Sequence, residues 1–319
     1  MFKTVLKRIL QSIPTLLIVV VFTFVLTRMI PGNPAATILG PQASAADIEA
    51  MTITLGLDQP KLVQFFDYLG DVLHGDFGTS YMYNQPVLDL VMQRIPSTLQ
   101  ITVIALVIAL IVGVAAGMFS ALHQYSSLDY VFMILALVGV SMPIFWLGLM
   151  LVNLFSVQLG WLPNMGRGYL DIGLWDFVSH MILPCICLAT IPMATFARIT
   201  RSSMLEVINN DSIKALRARG ISERKVVWKH ALKNALPPIV TVLGLQIAGC
   251  FTGAILTESI FSWPGMGTLI VNAITNRDYI LIQGVVLFFA IVFVVVNLIV
   301  DIVYMLINPR VSYEGGGSK

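Results

Sequence analysis

The chain has 319 residues, of which 57% are hydrophobic and only 11% charged, against about 25% charged residues in a soluble domain. With a mean hydropathy of +0.86, a water-soluble core is excluded and a polytopic membrane protein is the class that fits. The net charge of +2 says little by itself; the distribution of charge says more.

A helix needs about 20 mostly apolar residues to cross a bilayer. Six runs qualify: 9–30, 99–122, 131–157, 178–199, 239–258 and 281–307. The first follows Lys3, Lys7 and Arg8 and resembles a signal peptide. Its apolar run is too long for one and no A-x-A site follows, so it is expected to stay as an anchor. A polar segment, 31–98, comes next. Within it "PKLVQFFDYLGDVLHG" spaces Leu62, Phe65, Phe66, Leu69, Val72 and Leu73 as one helical face. "NQPVLDLVMQR" follows, with Pro86 placed to open a short helix. Such amphipathic pieces lie on a membrane surface or form a lip over a bundle. The third and sixth spans are long and are expected to tilt. Pro143, Pro184 and Pro192 are expected to interrupt their spans, since proline removes a helix hydrogen bond. The terminal "EGGGSK" reads as a flexible tail, native or appended.

Lys and Arg in the loops set the orientation. Six spans place both ends of the chain on one side, which then carries 14 of the 19 basic residues. Eleven acids lie on the other side, five on the basic side, and Asp301 falls inside a span. Both termini are therefore expected in the cytoplasm, with 31–98 outside.

The sequence is poor in catalytic signals. No G-x-x-x-x-G-K-[ST] motif occurs, so no P-loop binds ATP. The four histidines divide between the two sides, and the three cysteines sit in apolar runs as small buried side chains. "GVSMPIF" sets Ser141 beside Pro143 without the G-x-S-x-G spacing of a nucleophile elbow. Charge inside a membrane is costly and usually functional. Asp301, in "NLIVDIVYMLINPR", has two readings: a proton or substrate relay, or an ion pair with Arg198 or Arg201 at the inner rim. Glu258, at the outer end of the fifth span, either faces a pathway or braces the turn that follows. Ser141, Met142, Pro143, Glu258 and Asp301 are the candidates for a translocation pathway or its gate.

The charge that remains is concentrated. "DSIKALRARGISERKVVWKHALKNALPP", Asp211 to Pro238, holds seven of the 19 basic residues against two acids. Ile213, Leu216 and Arg217 share one helical face, and Gly220 breaks it. Ser222 is placed as an N-cap, and Val227, Ala231, Leu232, Ala235 and Leu236 form an apolar stripe that Pro237 and Pro238 are expected to close. The pattern is helix, glycine turn, helix on the cytoplasmic face. It suits either contact with anionic lipid or docking in another protein's groove.

This segment resembles the cytoplasmic loop of ABC importer permeases, E-A-A-x-x-x-G followed by I/V-x-x-P. Further stretches run nearly the whole chain and point to the dipeptide/oligopeptide/nickel branch. They include "MIPGNPA" (29–35), "LGLDQP" (55–60), "HGDFGTS" (74–80), "SMPIFWLG" (141–148), "HMILP" (180–184), "RITRSSMLEV" (198–207), "LTESIFSWPGMG" (256–267), "RDYILIQG" (277–284) and "VDIVYMLINPR" (300–310). The loop departs from the general pattern: Lys214, Ala215 and Leu216 stand where the glutamate and two alanines would.

The resemblance implies an all-α, six-span permease of the type I importer fold. It implies a non-catalytic subunit paired with a second, related permease. ATP and magnesium would be held by two separate ATPase subunits, and an extracytoplasmic binding protein would deliver the substrate. Nucleic acid and metal have no place in it. Lys214, Ala215, Leu216, Arg217, Ala218, Arg219, Gly220, Ile221 and Arg224 would then couple to one ATPase. Peptides are the expected cargo, with nickel complexes or glutathione as the alternatives within the branch. A self-contained channel or secondary transporter is the rival from another class, and leaves the basic helix pair without a role.

Overall fold

The computed structural model describes residues 2–29, 34–40 and 42–307, and leaves aside the side chains of 2–8, 37, 301 and 303–307. It is all-helical among those residues. The chain divides into two compact units, residues 1–98 with 264–298, and 99–263 with the residues from 299 onward.

In the first unit, α1 (Phe2–Met29) precedes the short α2 (Pro34–Leu39), α3 (Ala45–Thr54) and α4 (Lys61–Leu73). Val20, Thr23, Phe24 and Thr27 of α1 are buried, at the i, i+3, i+4, i+7 spacing of one helix face. The two threonine hydroxyls donate to carbonyls one turn back, Val19 O at 2.8 Å and Thr23 O at 2.9 Å, so they burden an apolar surface with no unmet donor. Phe24 packs edge-on against Phe65 of α4, ring centroids 5.3 Å apart. The predicted amphipathic helix is present as α4, but it buries Gln64 and leaves Leu62, Phe66 and Leu73 exposed. α3 opens on a reciprocal capping box between Ser44 and Asp47.

"NQPVLDLVMQR" does not make a separate short helix. Residues 87–98 are the first three turns of α5 (Val87–Leu122), because Val87, Leu90, Val91, Ser97 and Thr98 are buried along one stripe. The loop before α5 is tied to the start of α13 (Tyr279–Ile307) by Asp278. Its carboxylate accepts from Ser80 Oγ at 2.6 Å, Met82 N at 3.1 Å and Leu281 N at 3.1 Å. Thr98 Oγ1 accepts from the backbone N–H of Met266 at 2.8 Å, at the start of α12 (Met266–Thr275).

The second unit is built on residues 99–122 of α5, α6 (Ser127–Ser141), α7 (Ile144–Leu151), α8 (Leu174–Ile208), α9 (Asp211–Ala218), α10 (Glu223–Lys225) and α11 (Leu232–Ile260). Its core takes Ile101, Ala105 and Ala109 from α5, Cys185, Leu188, Ala189 and Phe196 from α8, Ile239 and Ala254 from α11, and Trp263. Gly113 and Gly117 extend the small-residue stripe of α5. A Cβ on either would strike the backbone of α8, at Met193 O and Ala197 O respectively. Small residues let helices approach closely where lipid provides no hydrophobic drive.

Pro143 interrupts the third span as expected, while the single long span and the expectations for the other prolines need correction. The third span is not one long tilted helix: α6 and α7 meet at 107°. Met142 adopts an extended conformation and Pro143 caps α7, because the residue before proline avoids the helical region. Pro184 and Pro192 do not interrupt α8, which runs through both. They are buried along its core face, where packing holds the helix across the lost bonds. Pro237 and Pro238 lie inside α11 rather than ending the basic segment's second helix. That helix leads from α10 through a π-helical stretch, Val226–Ala231, into α11.

Candidate functional site

The basic segment folds as read: helix, glycine turn, helix. Asn210 caps α9, its side chain accepting from Ser212 N at 3.3 Å. α9 then places Ile213 inward with no exposure at all. Leu216 and Ile221 lie against the same small core, which comprises Met118 and Ala121 of α5, Met204 of α8, and Val226, Val227, Ala231 and Ala235. The turn closes with Gly220 N donating to Arg217 O at 2.9 Å and Ile221 N to Leu216 O at 3.3 Å. Gly220 has φ +74°, and a Cβ there would meet no atom. The requirement for glycine is therefore one of backbone conformation and not of space. Ser222 holds the N-cap position before α10, though its side chain makes no capping bond.

The outer surface carries the charge. Lys214, Ala215, Ala218, Arg219, Arg224 and Lys225 are exposed. Arg217 is exposed as well, but it forks onto Glu223 across the glycine turn, at 3.0 and 2.6 Å. That hydrogen-bonded carboxylate raises the Arg217 guanidinium above its ordinary value. Its charge is engaged within the segment and braces the two helices against each other. Lys214 pairs with Asp211 at 2.9 Å. The second helix adds an exposed aromatic, Trp228, 61% accessible, which the sequence reading passed over because it lies off the apolar stripe.

Beneath this segment lies a clamp that the sequence did not announce. Asp129, only 1% exposed, accepts both arms of Arg201, Nε at 2.7 Å and Nη2 at 2.8 Å. Ser120 Oγ donates to the same carboxylate, and Tyr125 N donates to it at 3.0 Å. Three residues, from α5, the α5–α6 turn and α8, thus converge with four hydrogen bonds on one buried anion of α6. A bidentate fork of this kind sets orientation as well as binding. Arg201, offered with Arg198 as a partner for Asp301, is thus held by Asp129. Asp301 itself falls on α13, with its side chain outside the described residues.

The remaining pathway candidates sit on separate elements. Ser141 ends α6, Met142 and Pro143 form the break, and Ser141 and Pro143 are exposed. Glu258 is fully buried on α11. Its backbone carbonyl accepts from Trp263 N at 2.8 Å, which closes the turn after α11. Loop residue Gly166 donates to Phe261 O at 2.8 Å on the same turn. The three cysteines are buried and unpaired by disulfides. No group of acids, histidines and cysteines suited to a metal ion occurs among the described residues.

Residues 113–313 match the family described as "Binding-protein-dependent transport system inner membrane component". Residues 1–102 match its companion N-terminal family. The chain is 46% identical to the "Dipeptide transport system permease protein DppB" of Alkalihalophilus pseudofirmus over 329 residues, 97% of this chain and 98% of that protein. It is 42% identical to the "Glutathione transport system permease protein GsiC" of Escherichia coli (strain K12) over 314 residues, 98% of this chain and all of that one. Among solved structures, an inward-facing form of the MetNI methionine ABC transporter shares the fold, with a TM-score of 0.58 at 16% identity. The match covers 69% of this chain and 97% of that one.

Proposed function

This chain belongs to the binding-protein-dependent transport system inner membrane components, and we propose that it forms one half of the translocation pathway for short peptides and is driven through residues 211–238. It is a multi-pass inner-membrane permease of an ABC importer, a transport subunit that works with ATPase and binding-protein partners. The finer assignments follow from its residues. A second, related permease supplies the other half, and two ATPases bind from the cytoplasm, where both termini lie. Residues 31–98 form the external lip on which the binding protein docks. Short peptides are the cargo class: the two similar permeases are named for a dipeptide and for glutathione, itself a tripeptide.

The observation that carries the coupling role is the two-faced segment 211–238. Its inner face is locked to the unit's core through Ile213, Val226, Val227 and Ala231, while Lys214, Ala215, Arg219 and Arg224 are presented outward. A segment so anchored moves as one body with the helices beneath it. An ATPase that grips the outer face therefore biases the bundle between inward-open and outward-open states. It does so only by the difference in its affinity for the two. In this scheme Ser141, Met142, Pro143 and Glu258 are candidate gate residues and Asp301 a candidate rim charge.

Gly220→Pro tests the reading. The variant is expected to insert and fold normally while losing ATPase association and ATP-driven dipeptide uptake in proteoliposomes. Full uptake by a well-folded variant overturns the coupling role.

A further inference from the structure

We propose that the first unit carries an accessory binding site for the free ends of a short peptide or amino acid. A cavity of about 210 Å³ lies wholly within that unit. This is below the ~300–1,000 Å³ of drug-sized sites yet several times the ~30 Å³ share of one water. It therefore fits a solute of one or two residues.

The lining mixes apolar side chains, Leu55, Phe77 and Ile280, with a graded set of polar ones. At the rim stand Asp67, Asp71 and Asp76, all exposed. Asp67 and Asp71 are one turn apart on α4, on the face that also carries Gln64. Deeper lie Arg28, Gln64 and Gln283. Gln64 is fully engaged: its amide donates to Gln59 O at 2.8 Å and Leu57 O at 3.2 Å, and its oxygen accepts from Arg28 Nε at 3.0 Å. Gln283 is not. It is 5% exposed, and its Nε2 has no hydrogen-bond partner. A buried amide donor facing a cavity calls for an acceptor from a ligand.

The two ends of the cavity thus ask for opposite chemistry in one molecule. The floor offers a donor amide beside a guanidinium, which suits a carboxylate. The rim offers three carboxylates, which suit an ammonium. An uncapped peptide or amino acid carries both. A divalent cation fits poorly, since it would leave the floor donor unmet. The site deepens the reading of this chain as a peptide permease and rests on that reading for its cargo class.

The test is equilibrium binding of Ala-Ala to the intact permease–ATPase complex in lipid nanodiscs, without binding protein. Saturable binding is expected, weakened about tenfold or more by N-acetylation or by C-amidation of the probe. Asp67→Asn with Asp71→Asn, both at exposed positions, should weaken it by a similar factor, and so should Gln283→Leu. The proposal is overturned if no saturable binding occurs, if capped and uncapped probes bind alike, or if affinity survives both variants. It is also overturned if a cysteine at position 71 is protected from labelling by binding protein but not by Ala-Ala, which would make the occupant a protein chain. ATP-driven uptake of Ala-Ala by the same complex separates the two readings. Uptake without this binding removes the accessory site alone. Binding without uptake removes the peptide cargo and leaves the site.

Discussion

At Gly220 one backbone angle decides whether the basic segment can turn. With φ at +74°, any L-residue there carries a penalty of about 1 kcal/mol or more, and asparagine tolerates the region best. ATP-driven uptake is therefore expected to fall in the order Gly, Asn, Ala, Val at this position, with membrane insertion unchanged; a flat series argues against a formed turn. Asp129 and Arg201 are decided by burial. Arg201→Ala leaves a buried carboxylate with its main partner gone, and should cost about 3 kcal/mol, read as a lowered denaturation midpoint of the detergent-solubilised protein. Adding Asp129→Ala should restore part of that loss, as a double-mutant cycle tests. If the double variant is as unstable as the sum of the singles, the clamp is not the source.

Among elements, the contact of α5 with α8 and the break between α6 and α7 carry most of the consequence. Gly117 stands where α5 touches the backbone of α8 at Ala197 and at Arg201, the arginine of the clamp. Gly117→Leu forces the helices apart and is expected to cost at least about 1–3 kcal/mol. Loss of heat stability, with aggregation on extraction, is the measurable result; a variant as stable as the parent would mean that the close approach does not occur. The break at Met142–Pro143 turns a run long enough for one span into two pieces at 107°. That places a sharp bend, and the exposed side chains of Ser141 and Pro143, at the proline where an interruption was expected. The basic segment shows the opposite behaviour: α10 and the π-helical stretch lead without a stop into α11, the helix that carries Glu258. In the proposed scheme a displacement of the segment would pass along that helix.

For the molecule as a whole, the division of labour is the decisive feature. A permease that belongs to a binding-protein-dependent family works with an ATPase partner, and the exposed cations of 211–238 are the surface proposed to meet it. Native mass spectrometry of the chain, gently extracted from its host membrane, is expected to find it with a second permease and two ATPases. Emergence as a lone chain or homo-oligomer that moves peptide without ATP would refute the assembly and turn attention to Asp301 and Glu258.

Composition and order along the chain were enough to establish the class, five of the six apolar runs as long helices, and the basic helix pair. An apolar run of spanning length must be helical in lipid, and a glycine between two amphipathic stripes turns on purely local grounds. Ile213 inside and Arg219 outside were legible for the same reason, since helical spacing alone sorts them. Three things were settled only by tertiary structure. Whether a proline breaks a helix depends on what packs around it, so Pro143 breaks one while Pro184, Pro192, Pro237 and Pro238 do not. The pairing of Arg201 with Asp129 joins residues 72 positions apart, and nothing in either neighbourhood marks the other. Gln283 sits in an apolar stretch like any helix residue until folding buries its amide beside a cavity. Local pattern governs which face a residue takes; contacts between distant segments govern which partner it finds there.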